Sequence, residues 1–363
     1  MKDSYSLALH TVTVCNLDNS EFDCEATSVV GPAGRVFYVS PKSVYVWTTD
    51  WVRRGGTSKT RSVLYQMPLD GSAPSALGVV GSPVDQFSFL ESNDDHLNVV
   101  VRSDAAGDGM WNSEVTQGDI ALLRIPKDKF ADGRKKISNE FYQEIPRPKG
   151  YSFQNRFIGD YLLYGSGNRW EVAKNGNQQS VFTVNWKSGE TKQLPIVHGV
   201  ERIEGMGRDA VVVGSAKNNL YFTPVKLGDS PRVQRSYKRK NASQGESRSH
   251  GFFYKTQNSN SGLLGLPIIG GGNNSSSYRR GSASILFLRN NSLNLNELGM
   301  LKAGAAKQKN DRCKASCVDW YGNARPLFIK GRVFALLGYE IVEGVVKPNG
   351  INERRRKSFS PVG

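Results

Sequence analysis

Long apolar runs are missing from this chain, and none approaches the roughly 18–20 residues of a membrane-spanning helix, so no spanning helix is expected. Helical periodicity is nearly absent as well, which argues against bundles and coiled coils. Histidine is scarce. His10, His96, His198 and His250 are the only four, and none stands in an H-x-x-x-H or H-E-x-x-H spacing, so a histidine metal site is not expected. The chain has no G-x-S-x-G elbow, no Walker loop and no G-x-G-x-x-G after a strand. The run Gly270-Gly271-Gly272 lacks a following Lys-Ser/Thr and reads as a flexible loop rather than a phosphate cradle. The sequence therefore points to an architecture more strongly than to an activity.

What is present is turn-forming residues and positive charge. The 363 residues include 38 Gly and 15 Pro, with runs of Ser and Asn, and only 38% are hydrophobic. That balance favours many short strands joined by turns. Lys and Arg number 48 against 33 Asp and Glu, a formal charge of +15 that favours contact with a polyanion. The basic residues cluster at Arg232, Arg235 and Lys238–Lys240, at Arg354–Lys357, at Arg134–Lys136 and at Arg53-Arg54. The plain alternative is that these are solvated loops and a disordered tail. Nucleic acid is not the expected partner, because the clusters are scattered and no DNA- or RNA-binding motif accompanies them.

Period-2 patterns dominate and recur. Val44–Trp47, Ser62–Gly71 and Ala76–Val80 form one set of strands. His96–Val101, Ile120–Pro126 and Phe141–Ile145 form a second, and Asp160–Tyr164, Ser180–Trp186 and Thr191–Ile196 a third. Asp209–Val213, Leu220–Val225 and Arg232–Lys238 follow, then a degraded copy with Phe252–Tyr254 and Ser284–Leu288, and a last one from Leu327 to Val346. Gln86–Phe89, Phe153–Phe157 and Glu201–Gly205 add a leading strand to several copies. A four-stranded unit repeating about every 50–70 residues is the signature of a β-propeller. The expected fold is all-β, a propeller of about six four-stranded blades in one domain over 1–350. Residues 238–282 are read as a long basic, Asn/Ser/Gly-rich insertion and 351–363 as a disordered basic tail. The strand Leu7–Val14 is expected to complete the last blade, which otherwise shows about three strands and an open edge.

Four stretches carry a family resemblance: Leu9–Cys15, Gly31–Pro41, Asp85–Phe89 with Leu97-Asn98-Val99, and Arg156–Tyr161. They resemble the secreted bacterial β-propeller family distantly related to WD-type repeats, clearly over about residues 5–225. These are framework motifs, so the resemblance implies a fold and export but no catalytic residue. It places the protein outside the cytoplasm, in the periplasm, at the cell surface or secreted. Met1–Ser4 nevertheless leads straight into a strand too short and polar to be a secretory core, so the chain is read as cytosolic or as beginning inside a longer one. Cys15 and Cys24 bracket a polar turn between two strands, where a disulfide is geometrically easy, and Cys313 and Cys317 are close enough to close a small loop. Two such bonds would belong to an oxidising compartment, and four free buried thiols are the alternative.

The remaining candidate chemistry lies in loops. Asp104, Asp108 and Asp119 could supply three carboxylates to calcium, although the EF-hand pattern is missing and ordinary Asx-turns account for them equally well. No other cofactor is expected. Trp51 and Trp111, with Arg53 and Arg54, are candidates for a binding surface, since an aromatic beside cations can stack on sugars or bases. Trp47 and Trp186 are read as strand packing. The reading that results is a non-catalytic interaction module of an exported or cell-envelope protein, binding a protein or an anionic envelope polymer through its rim loops. The alternative is a propeller enzyme acting on glycans, with paired acidic residues at the central channel.

Overall fold

The computed structural model describes residues 6–18, 23–54, 57–103, 114–115, 118–150, 152–167, 179–270, 284–304, 324–338 and 340–359, without the side chains of 51–54, 57–61, 114 and 115. Among them there is no α-helix, only strands and short 3-10 turns. The chain divides into two compact units, Met1–Leu162 with Val184–Thr191 and Leu163–Thr183 with Lys192–Gly363, where the sequence reading has one domain over 1–350.

The first unit opens with a hairpin of β1 (Leu7–Asn16) and β2 (Asp23–Pro32), antiparallel from Leu7 opposite Pro32 to Asn16 opposite Asp23. This register places Cys15 opposite Cys24, and the two form a disulfide. A loop this short contributes on the order of 2–3 kcal/mol by restricting the unfolded chain. The first sheet follows, with β3 (Gly34–Val39), β4 (Ser43–Arg54), β5 (Thr57–Pro68) and β6 (Ser75–Val79). Alternation along β4 assigns its side chains to two cores. Val44 and Val46 join Tyr65 and Met67 under Val12 and Val29 of the hairpin, while Tyr45 and Trp47 join Leu64 and Leu77 against the second sheet. Trp47 is fully buried and its Nε1–H donates to the Gly81 carbonyl at 3.3 Å, so it packs the core as expected.

The second sheet is built from β7 (Ser82–Pro83), β8 (Phe89–Ser92) and β9 (His96–Arg102), and from two later strands beyond a long connection. That connection carries β10 (Glu114–Val115), after which come β11 (Ile120–Pro126), β12 (Asp132–Lys136) and β13 (Tyr142–Ile145). β9, β11 and β13 stay in the second sheet, but β12 leaves it and pairs parallel with β6, at the edge of the first sheet. The Ala131 and Ala76 backbones bond reciprocally at 3.0 and 2.8 Å, and Ile137 N–H reaches Gly78 O at 2.9 Å. Arg134–Lys136, one of the basic clusters, is therefore an exposed edge strand, and its charges guard an edge against further pairing. β10 leaves in the other direction and pairs with β14 (Ser152–Ile158), which continues through β15 (Tyr161–Gly167), β16 (Gln179–Asn185) and β17 (Thr191–Ile196) as the third sheet.

In the second unit, β18 (Arg202–Met206), β19 (Asp209–Ala216), β20 (Asn219–Lys226), β21 (Arg232–Val233) and β22 (Tyr237–Arg239) make the fourth sheet. β23 (Ala242–Gln244), β24 (Phe253–Asn258), β25 (Ser261–Gly270), β26 (Ser284–Asn291) and β27 (Asn294–Lys302) make the fifth. β28 (Ala324–Ile329), β29 (Arg332–Leu337), β30 (Glu340–Lys347) and β31 (Gly350–Ser358) make the sixth. β25 and β26 are apolar on both faces because each face meets a different sheet. Leu264, Leu266, Ile268, Leu286 and Leu288 pack on Val211, Val213 and Phe222, whereas Leu263, Ile285 and Phe287 pack on Val333, Ala335 and Leu337.

Three expectations are corrected here. Residues 238–270 are not an insertion, since they supply the end of β22 and all of β23 to β25, and Leu263–Ile269 lies in a central strand of the fifth sheet. The glycines that make the segment look loop-like mark close approaches. A Cβ on Gly262 would stand 2.4 Å from the Tyr254 ring, and one on Gly265 would stand 2.5 Å from Pro326. Residues 351–358 are not a disordered tail either, because β31 pairs with β30 from Lys347–Gly350 to Glu340–Ser358. Its arginines have acidic partners. Arg355 Nε lies 2.6 Å from the buried Glu343, which also takes Arg332 at 2.8 Å, and Arg356 Nη2 lies 2.7 Å from Glu353. Hydrogen bonds from Arg332, then from Arg355, hold the Glu343 carboxyl down to about 2 against the upward push of desolvation. Finally, β31 rather than Leu7–Val14 supplies the fourth strand of the last sheet, and β1 pairs with β2.

Candidate anion-binding site

Few of the candidate residues named from the sequence come together in the structure. The backbones of Trp51, Arg53 and Arg54 lie in the part of β4 that runs with β5 beyond the pairing of β3 and β6, opposite Thr60, Ser58 and Thr57. What the sequence suggests as a loop is thus a two-stranded ribbon, and the side chains of these residues lie outside the described set. Trp111, Asp104, Asp108, Cys313 and Cys317 also lie outside it. Asp119 is described, and its main chain exchanges bonds with Ser103, N–H to Oγ at 2.9 Å and carbonyl from N–H at 3.0 Å. Among the described residues no three His, Cys, Asp or Glu side chains gather in a metal-holding group. Trp186 packs as expected, buried just past β16 with its Nε1–H on Gly159 O at 2.9 Å, under the Arg124 guanidinium and the Lys187 ammonium.

The basic cluster ending at Lys240 does contribute to a cavity. Where β22 turns into β23, Asn241 adopts a left-handed backbone (φ 48°), a conformation that asparagine tolerates better than most residues. The turn projects Arg239, Lys240 and Asn241 over the ends of β25, β26 and β27. There they enclose a cavity of about 270 Å³ with Ile268, Met300 and Lys302. The floor is apolar, since Ile268 and Ala242 belong to the core shared by the fourth and fifth sheets.

The charges around this cavity are unequal. Glu297 accepts both Arg239 Nη1 contacts, at 2.8 and 2.9 Å, and also the Tyr237 hydroxyl. Burial first, then the Glu297 carboxylate, push the Tyr237 phenol up, so it stays protonated and donating. Glu340 and Glu353 are both bonded to Arg356, whose Nη2 also donates to the Lys302 carbonyl at 2.9 Å. The Lys240 and Lys302 ammonium groups have no carboxylate partner among the described residues. A small cavity with an apolar floor, lined by an arginine and by two lysines without carboxylate partners among the described residues, suits the acidic group of an organic anion. Lys302 was missed in the sequence because it belongs to no basic run, and only the pairing of β26 with β27 brings it near Lys240.

Two buried polar groups elsewhere in this unit serve the fold. Arg202 donates to Gln244 Oε1, Glu204 Oε1 and the carbonyls of Glu246 and Arg248, each at 2.8 Å. Glu246 in turn takes Arg248 through Nε at 2.9 Å and Nη2 at 2.7 Å. Burial raises the Glu246 carboxyl, but Arg248 and the nearby His250 outweigh it and hold the group below the usual carboxylate range. His198 is fully buried, stacked on Tyr221, with one ring nitrogen 2.7 Å from Gly199 O and the other 2.7 Å from Thr223 Oγ1. A carbonyl can only accept, so Nδ1 carries the proton and Nε2 accepts from the threonine. Desolvation brings the imidazole down to about 4. The unfolded chain thus takes up a proton below about pH 6.5 that the folded chain refuses until about pH 4. Stability should be full above the upper value, fall as pH drops between the two by about 3 kcal/mol, and level off below. Urea melts of wild type and His198→Gln across that range check this, and equal slopes with pH for the two proteins would refute it.

Comparison with known proteins gives a family over part of the chain. No curated protein matches it. Among solved structures it is similar to the periplasmic gluconolactonase of Pseudomonas aeruginosa, with 11% identity, 97% of this chain and 96% of that one covered, and a TM-score of 0.38. It is also similar to the β-propeller domain of the Trilobed protease of Pyrococcus furiosus, with 10% identity, 90% and 83% coverage, and a TM-score of 0.37. An ulvan lyase of polysaccharide lyase family PL25 matches with 9% identity, 89% and 83% coverage, and a TM-score of 0.32. At these values none of the three assigns an activity. Residues 1–136, which run from the hairpin through β12, match the family described as the beta propeller domain, and the fold of this all-β chain is of the β-propeller class.

Proposed function

We propose that this chain is a non-catalytic β-propeller interaction module that holds an acidic polymer at the pocket between Lys240 and Lys302. The observation that carries the reading is that Lys240 and Lys302, neither with a carboxylate partner among the described residues, both line a cavity with an apolar floor. The overall charge of +15 supports it, since a positive surface raises the local concentration of a polyanion before docking. The Cys15–Cys24 disulfide supports an extracytoplasmic setting, where such bonds persist. In that setting the natural partner is an anionic envelope polymer.

Titration calorimetry with a polyuronate oligosaccharide tests the pocket. Wild type should bind with an affinity that weakens as salt is raised. Lys240→Ala with Lys302→Ala should weaken binding by at least about tenfold, while both lysines, being surface groups without ion pairs, leave the thermal midpoint in place. Binding by the double variant at wild-type strength would place any polyanion contact elsewhere. Absence of binding by wild type would remove the reading.

A further inference from the structure

We infer that Met300 is a site of reversible oxidation by hydrogen peroxide, and that its sulfoxide controls ligand access to the pocket; the second part rests on the pocket reading above. Of the five methionines in the sequence, Met67, Met206 and Met300 are described. Met67 is fully buried and Met206 is 3% exposed, each inside a packed core. Met300 is partly buried and lines the cavity. A reagent small enough to enter 270 Å³ meets this thioether without any strand having to open.

The sulfur also faces hydrogen-bond donors. Arg239 Nη2 and Ser284 Oγ each point at Met300 Sδ from 3.8 Å. A thioether is a weak acceptor, so these contacts bring little while the residue is reduced. Oxidation changes that. A sulfur lone pair attacks one peroxide oxygen, the O–O bond breaks, and the departing hydroxide takes the proton left on the transferred oxygen. Sulfur is oxidised by two electrons and the peroxide ends as water. The new S–O oxygen is a strong acceptor beside a guanidinium N–H already aimed at the sulfur, and it can draw the proton of the Ser284 hydroxyl from the Ile268 carbonyl 3.3 Å away, so the product is held in one orientation. It then competes with an incoming anion for Arg239 and occupies part of a small cavity. Methionine sulfoxide reductases return the thioether, which makes the change reversible.

Peptide mapping of the intact folded protein after graded peroxide treatment, paired with polyuronate titration, tests both parts. The Met300 peptide should gain one oxygen at least tenfold faster than the Met67 and Met206 peptides. Affinity of the oxidised protein should fall threefold or more and return after reductase treatment. The Met300→Leu protein, whatever its own affinity, should show no change with peroxide, which separates this sulfur from other oxidisable groups. Oxidation of Met300 no faster than of Met67 would overturn the site. Fast oxidation with unchanged affinity would overturn the control. If untreated wild type binds no polyuronate, the pocket reading fails and takes the control with it, while the modification site still stands or falls on the peptide map.

Discussion

Replacing Leu264, Leu266 and Ile268 together with serine should abolish the cooperative unfolding transition of the second unit. All three are within 2% of full burial, on the face of β25 that packs against the fourth sheet. Truncating one such side chain to alanine costs about 2–5 kcal/mol through lost transfer energy and the cavity left behind. Serine adds a hydroxyl that must find a partner in an apolar site. Three such losses in one cluster reach the about 5–15 kcal/mol that separates a folded domain from its unfolded chain. A far-ultraviolet melt of the triple variant should lose its sigmoidal step, and Leu264→Ala alone should lower the midpoint while keeping the step. A triple variant that melts like wild type would return this segment to the insertion that the surrounding sequence suggests.

The second large effect is expected at Arg202. Its guanidinium is 4% exposed and joins β18 to the stretch that follows β23. Arg202→Met keeps most of the volume but takes the guanidinium away from the buried Glu204 carboxylate, the Gln244 amide oxygen and the Glu246 and Arg248 carbonyls. Removing one partner of a buried pair costs about 3–5 kcal/mol, more than the pair itself contributes over an apolar replacement. Chemical denaturation should show a loss of that size. Adding Glu204→Leu to Arg202→Met should recover part of it, because the buried carboxylate that lost its arginine is then gone. A loss below about 1 kcal/mol for the single variant would mean that water reaches the cluster and replaces the arginine.

The strands are legible in the sequence wherever apolar residues alternate or run without a break. His96–Val101 and Leu220–Val225 are strands with buried side chains on both faces, and such burial leaves an apolar run that composition cannot hide. Legibility fails where charge or glycine density resembles a loop. Arg354–Lys357 reads as a tail because its acidic partners Glu340 and Glu343 belong to another strand, and pairing across strands has no local signal. The binding pocket is half legible for the same reason. Arg239 and Lys240 stand out as a run, whereas Lys302 and Met300 acquire meaning only through the register of β26 with β27.

The departure of β12 from its own sheet has a consequence for synthesis on the ribosome. The first sheet receives its last strand only when residues 132–136 have emerged, long after β6 ends at Val79. At about 5–20 residues per second, the nascent chain carries a bare, hydrogen-bonding β6 edge for several seconds. During that interval the N-terminal part of the protein is a template for pairing with a neighbouring nascent chain. Translation pauses that hold the chain after β6 has emerged but before residues 132–136 have emerged should therefore raise misassembly, whereas pauses after β12 has emerged should not.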